Sequence, residues 1–358
     1  MDKIKKITET ITGINKEFVE KAKQGLDNLT KPQGSLGRLE ELAMQICGIT
    51  EKEKPLLRNK VIFTLASDHG VAEEGVSAYP KEVTAQMVYN FLRGGAGINV
   101  LARHIGARVI VVDMGVAEKI KIKNAKLKTF FKDRKVNFGT KNMARGPAMS
   151  RFEAVKSIET GIAVFKEEFK NGIDIIGTGD MGIGNTTPSS AIAAVFTKKS
   201  IEDVVGRGTG IDDKGLENKI KIIKKALKIN TPSYSDPIDV LAKVGGFEIG
   251  GLAGIILSAA AKRVPIVIDG FISGAAALIA YQLEPKTRDY MIASHCSAEK
   301  GHRFILEHIG LKPLLDLNLR LGEGTGAALA INLVEASIRI LTQMATFKGA
   351  GVSERTHK

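Results

Sequence analysis

The sequence predicts an α/β protein: a doubly wound, mostly parallel, Rossmann-like sheet with a small helical lobe built from the N- and C-terminal helices. Three observations predict it. Five short apolar, β-rich runs (61–66, 108–112, 173–176, 264–268 and 290–293) alternate with helical segments, the pattern of a parallel sheet covered on both faces. Each run leads into Gly, Asp, Ser or His, and open α/β sheets bind ligands beyond the carboxyl ends of their strands. Two leading helices and the last one lie outside the alternation. The expected division is an α/β unit (54–316) and a lobe (1–53 plus 317–358).

Taken in order, Ile4, Ile7, Ile11, Ile14, Phe18 and Ala22 recur at steps of three and four, which predicts one helix over 3–28. A turn at 30–37 precedes a second helix, 36–50. Strand 61–66 ends in Ser67-Asp-His-Gly70. Pro80 suits a first helical turn and opens a helix to 91; another ends at His104. Strand 108–112 ends in Asp113. Residues 117–149 alternate Lys and Ile and then turn repeatedly, which reads as a hairpin or excursion followed by a loop. Ser150 caps a helix to 169. Strand 173–176 enters the glycine-rich stretch 177–190, with the next helix expected after Pro188, at 191–196. A lysine-rich helix covers 214–228. Helices near 238–244 and 249–263 lead to strand 264–268, which ends in Asp269, and a helix reaches 283. Strand 290–293 ends in Ser294-His-Cys-Ser297, a helix runs to 309, and the last helix spans 327–346. Residues 347–358 read as frayed.

Composition narrows the function. The 358 residues are 44% hydrophobic and 25% charged, which suits a large globular core. Aromatics make up 5% with no Trp, which argues against a stacking platform for single-stranded nucleic acid. The net charge of +13 sits on spread lysines that read as solvated helix faces; it favours small anionic substrates rather than nucleic acid. Cys47 and Cys296 are too few and too distant for a disulfide framework, and the amphipathic N-terminus lacks a signal-type core, so the expected compartment is cytoplasmic. The longest apolar runs, 250–261 and 271–283, fall short of the ~18 residues of a membrane span. None of the six histidines pairs at a recognised metal-ligand spacing, and no metal or cofactor is expected. Cys296 reads as a small apolar filler.

Three glycine loops carry the possible chemistry. Gly177-Thr-Gly-Asp-Met-Gly182 has dinucleotide-fingerprint spacing, but the expected helix start and the following acid are out of place. The loop still suits a phosphate, with glycine N–H groups, Thr186, Thr187 and a helix N-terminus. Gly208-Thr-Gly-Ile-Asp-Asp213 lacks the strand of a magnesium-diphosphate loop, and Asp212 or Asp213 is read as a helix cap. In Leu321-Gly-Glu-Gly-Thr-Gly326, Glu323 stands between two glycines before a helix. It is either a turn residue or a proton acceptor.

Taken together, the motifs become specific. Lys31-Pro-Gln-Gly-Ser-Leu-Gly-Arg-Leu-Glu40, Ser67-Asp-His-Gly-Val71, residues 177–190, Val244-Gly-Gly-Phe-Glu-Ile-Gly-Gly-Leu-Ala253, residues 294–302 and Arg320-Leu-Gly-Glu-Gly-Thr-Gly-Ala327 occur in that order. Over about residues 25–346 the chain closely resembles the nicotinate-nucleotide–dimethylbenzimidazole phosphoribosyltransferases, which build the lower ligand of cobalamin. The resemblance implies transfer of ribose 5-phosphate from nicotinate mononucleotide to dimethylbenzimidazole. The products are α-ribazole 5′-phosphate and nicotinate, with inversion at the anomeric carbon. It implies Glu323 as general base and Asp180 as a second acid, where many relatives carry Glu. Gly182, Gly184, Asn185 and Thr186 are implied at the phosphate, with Lys219, Ser297 and Arg320 near the nucleotide and Asp269 on the same rim. Tyr79, Gln86 and Met87 would shape the base pocket. Relatives form homodimers, and some accept adenine or phenols. The alternatives are therefore the same chemistry on another aromatic acceptor, or a non-catalytic nucleotide-binding subunit.

Overall fold

Six parallel strands form one sheet in the order β3-β2-β1-β4-β5-β6. They are β1 (Lys60–Ser67), β2 (Arg108–Gly115), β3 (Phe131–Asp133), β4 (Ile175–Met181), β5 (Ile266–Ile268) and β6 (Met291–Ala293). The computed structural model describes residues 1–122, 124, 127 and 129–353. The five expected strands are all present. The reversal of strand order falls between β1 and β4, where a doubly wound sheet opens its ligand crevice.

The two faces of β1 show how the sheet is covered. Val61, Phe63 and Leu65 enter one core, with helices Arg151–Phe169 and Phe247–Ala261 over them. Ile62 and Ala66 enter the other, shared with Ala327, Ile331 and Val334 of helix Thr325–Gln343. Helices Lys16–Asp27 and Arg38–Thr50 pack beside Thr325–Gln343 and add Leu26, Leu42 and Ile46 to that second core.

Several expectations change. The helix over 3–28 is two helices, Asp2–Thr8 and Lys16–Asp27, because the Asn15 side chain accepts the Glu17 N–H and caps a new start. Where a hairpin or excursion is expected at 117–149, the described residues form no hairpin but a single strand, β3, which pairs parallel to β2 with Phe131 opposite Val111. Three residues, only one of them apolar, carry no readable period. Residues 123, 125, 126 and 128 of that stretch lie outside the described residues, as do 354–358 of the segment read as frayed; before it, Phe347–Ala350 form a short helix. The helix expected at 191–196 spans Thr186–Thr197. Pro188 lies in its first turn, where the missing N–H is no loss. Finally, the 19-residue helix Thr325–Gln343 is long and apolar enough to cross a membrane, a feature hidden when only unbroken apolar runs are considered. Half of it is buried inside this fold. Ser150 caps Arg151–Phe169 as expected, in a capping box with Glu153, and Asp212 caps Asp213–Asn230.

Candidate active site

At the carboxyl ends of β1, β4 and β5 the loop that carries Glu323 is pressed onto the sheet. Gly177 and Gly179 lie inside β4, not in a phosphate loop. A Cβ on Gly177 would stand 2.9 Å from Ala327 Cβ, and one on Gly179 would stand 2.6 Å from the Glu323 carbonyl carbon. The apparent dinucleotide fingerprint is thus partly a flat landing for the Glu323 loop. Thr64 Oγ1 donates to the Glu323 carbonyl at 2.9 Å, and the Glu323 N–H donates to the Asp180 carbonyl at 3.2 Å. Glu323 has φ +63°, between Gly322 and Gly324 at +76° and +100°. A non-glycine residue in the left-handed region is uncommon and costs of order 1–3 kcal/mol when it is strained, so surrounding contacts must hold it.

The Glu323 carboxylate is buried, and its Oε2 accepts the Ile98 N–H at 3.1 Å. Ile98 lies in the first turn of helix Gly97–His104. Burial raises the Glu323 pKa above the usual range, and the Ile98 N–H opposes the rise. The helix that follows Glu323 points its N–H groups at Asp269 instead. Asp269 accepts from Gly324 at 3.2 Å and Ala327 at 3.0 Å, while burial pushes its pKa up to about 7. Asp180 completes the acid cluster. Its Oδ2 accepts from Asn185 Nδ2 at 2.9 Å, and its Oδ1 is buried without a partner among the described residues. Burial, then the charges of Asp269, Glu248 and Glu323, hold Asp180 well above the carboxylate range; Asn185 works the other way.

The opposite end is cationic. Lys219 is fully buried and donates to Thr186 Oγ1 at 2.7 Å and to the Gly206 carbonyl at 3.3 Å. Arg320 is exposed, near Gly210: a Cβ there would be 3.8 Å from its guanidinium. Ser297 Oγ donates to the Leu319 carbonyl at 3.2 Å and so fixes the segment before Arg320. Loop 182–186 joins the two ends, with Asn185 on Asp180 and Thr186 on Lys219. Gly184 has φ +88° and packs on Ala72. Gly182 backs onto the Ser67 carbonyl and His69.

The other expected residues lie at the margin. Tyr79 is exposed, beside Ala78, whose N–H donates to Thr209 Oγ1 at 3.0 Å; this brings the 77–79 segment to the second glycine loop. Gln86 is exposed, and Met87 packs against the second core. Their helix, Val83–Arg93, touches the phosphate loop through Thr84 Oγ1, which accepts the Ile183 N–H at 3.1 Å. Asp113, at the end of β2, pairs with Lys135 at 2.7 Å. Cys296, read as a small apolar filler, is partly exposed.

Sequence reasoning gave no role to His69 and Glu248, a buried pair 2.8 Å apart. Burial disfavours the charged imidazole, but Glu248 outweighs it and raises the His69 pKa. It also set aside the 206–210 loop, which lies against Lys219 and Thr186. Its glycines, shortly before Lys219 in the chain, were the available signal.

Fold and site together define a doubly wound α/β protein with an acid cluster and a cationic pocket at the switch point of its sheet. Residues 11–352 match the family model described as "Phosphoribosyltransferase", and the chain belongs to that family. It is similar to the nicotinate-nucleotide–dimethylbenzimidazole phosphoribosyltransferase of Desulforudis audaxviator, 57% identical over 99% of each chain. The enzyme of that name from Geobacter sulfurreducens is 57% identical over 96% of each. Among solved structures, CobT from Thermus thermophilus superposes with a TM-score of 0.89 at 44% identity, covering 95% of this chain and 100% of that one.

Proposed function

We propose that this chain transfers ribose 5-phosphate from nicotinate mononucleotide to 5,6-dimethylbenzimidazole or a related base, in cobalamin nucleotide-loop assembly. The observation that carries the reading is the polarity of the site. Buried Lys219 meets Thr186 of the 182–186 loop, while Asn185 of the same loop meets Asp180, whose carbonyl accepts the N–H of Glu323 with its buried carboxylate. Such a pocket suits a substrate with a phosphate at one end and a departing proton at the other.

In this mechanism Lys219, Thr186, Arg320 and the N–H groups of loop 182–186 other than those of Ile183 and Asn185, which are already engaged, hold the phosphate. The benzimidazole nitrogen attacks the anomeric carbon as the bond to the pyridinium nitrogen breaks. That electron pair returns to the ring, and nicotinate leaves with a neutral ring. The new benzimidazolium gives its remaining N–H proton to Glu323. Attack from the face opposite the leaving ring inverts the anomeric centre. Asp180 is the second acid, its unpartnered oxygen free for a ligand. Asp269 anchors the Glu323 loop, and Tyr79, Gln86 and Met87 border the acceptor. Residues 54–316 carry the sheet loops, residues 1–53 with 317–358 bring Glu323 to them, and the working unit is a homodimer.

Chromatography of nicotinate released from nicotinate mononucleotide, with dimethylbenzimidazole, adenine and phenols as acceptors, tests the reading. Release with dimethylbenzimidazole is the expected result. No release with any acceptor overturns it and leaves a nucleotide-binding subunit.

A further inference from the structure

Glu299 is buried, and the mechanism above leaves it unused. Its Oε1 accepts the Gly208 N–H at 2.8 Å, and its Oε2 is buried with no partner among the described residues. Gly206 lies flat on this carboxylate: a Cβ there would stand 2.6 Å from Glu299 Cδ. The carbonyl of the same Gly206 accepts from Lys219 Nζ. The Glu299 N–H donates to Ser297 Oγ at 3.2 Å, and Ser297 in turn holds the Leu319 carbonyl beside Arg320. One acid is therefore tied to the 206–210 loop, to Lys219 and to the Arg320 segment.

We propose that Glu299 is a positioning residue of the phosphate pocket, which clamps the 206–210 loop against Lys219 and balances that buried ammonium. The inference rests on the transferase reading. An isolated ammonium in an apolar site gives up its proton. Burial lowers the Lys219 pKa to about 8, and Glu299 opposes that fall. The neighbouring charges do not replace it. Arg207 turns outward to Asp213, Glu217 is exposed, Arg320 is itself cationic, and Asp180 is engaged by Asn185. Without Glu299, nothing among the described residues opposes the burial that lowers the Lys219 pKa.

Glu299→Gln keeps an acceptor for the Gly208 N–H and removes the charge. The measurement is the KM for nicotinate mononucleotide, separated from kcat, across about pH 6 to 9. The inflection of KM should move down by about one pH unit, and KM should rise ~5-fold near pH 8 and approach ~10-fold at higher pH, with kcat and the acceptor KM changed less than ~2-fold. A KM profile superimposable on wild type, or a loss confined to kcat, overturns the proposal. If Glu299→Gln does not fold, Gly206→Ala, which pushes on the same carboxylate, replaces it, and an unshifted profile there is equally fatal. Wild-type protein that releases no nicotinate would sink the transferase reading itself. Active wild type with an unaltered Glu299→Gln sinks only this inference.

Discussion

Gly179 has no side chain where the backbone of Glu323 comes down on the sheet: a Cβ would lie 2.6 Å from the Glu323 carbonyl carbon and 2.7 Å from the Gly324 nitrogen. Both obstacles are backbone, so neither can swing aside. Gly179→Ala must lift the Glu323 loop or bend β4. The expected cost is ~1–3 kcal/mol of stability, as for an overpacked core. The loss of nicotinate release should exceed anything explained by the unfolded fraction. Urea unfolding and kcat on the same preparation check this, and unchanged activity would show that the loop needs no landing on β4.

Asp269 holds the start of helix Thr325–Gln343 by accepting from both Gly324 and Ala327. An asparagine has the same shape but accepts at one atom and turns N–H toward the other donor. Asp269→Asn should therefore lose ~1.5–3 kcal/mol, the range for hydrogen bonds to a charged group. The midpoint of denaturant unfolding, followed by far-UV circular dichroism, is the readout. An unmoved midpoint would mean that solvent satisfies this helix end.

His302 is buried, with Nδ1 accepting the Ser297 N–H at 3.1 Å and Nε2 unpartnered among the described residues. Burial, and then the neighbouring His295, lower its pKa to about 3; burial lowers that of His295 to about 4. As pH falls, the unfolded chain takes up these protons first, near ~6.5. The stability these groups contribute is complete above that value and is lost as pH drops toward their folded pKa values. Each should add a slope of ~1.4 kcal/mol per pH unit within its window. His302→Gln should flatten the plot of unfolding free energy against pH by about that slope between about pH 6 and 4. An unchanged slope would mean that His302 is protonated in the folded protein.

The central strands were legible because buried parallel strands are continuous apolar runs, as in Val61-Ile-Phe-Thr-Leu-Ala66. Phe131-Lys-Asp133 was not, since three residues hold no pattern. Pro188 misled because it reads as a boundary, whereas a first turn tolerates it. In the site, residue types stood out but their partners did not. Nothing local says that Gly179 serves the backbone of Glu323, or that His69 meets Glu248, 179 positions later. The Ile98 N–H that faces the Glu323 carboxylate has no side-chain signature at all. Such relationships arise only when the sheet order brings distant loops to one edge.

In the proposed mechanism Glu323 takes the proton released in the transfer. Glu323→Gln preserves the shape, the left-handed backbone demand and, through its carbonyl, the bond from Ile98. The decisive measurement is kcat for nicotinate release with dimethylbenzimidazole at saturating nicotinate mononucleotide. The expected result is a fall of ~10²–10⁴-fold, the usual loss for a general base, with the nucleotide KM within ~3-fold of wild type. Turnover at the wild-type rate would contradict it.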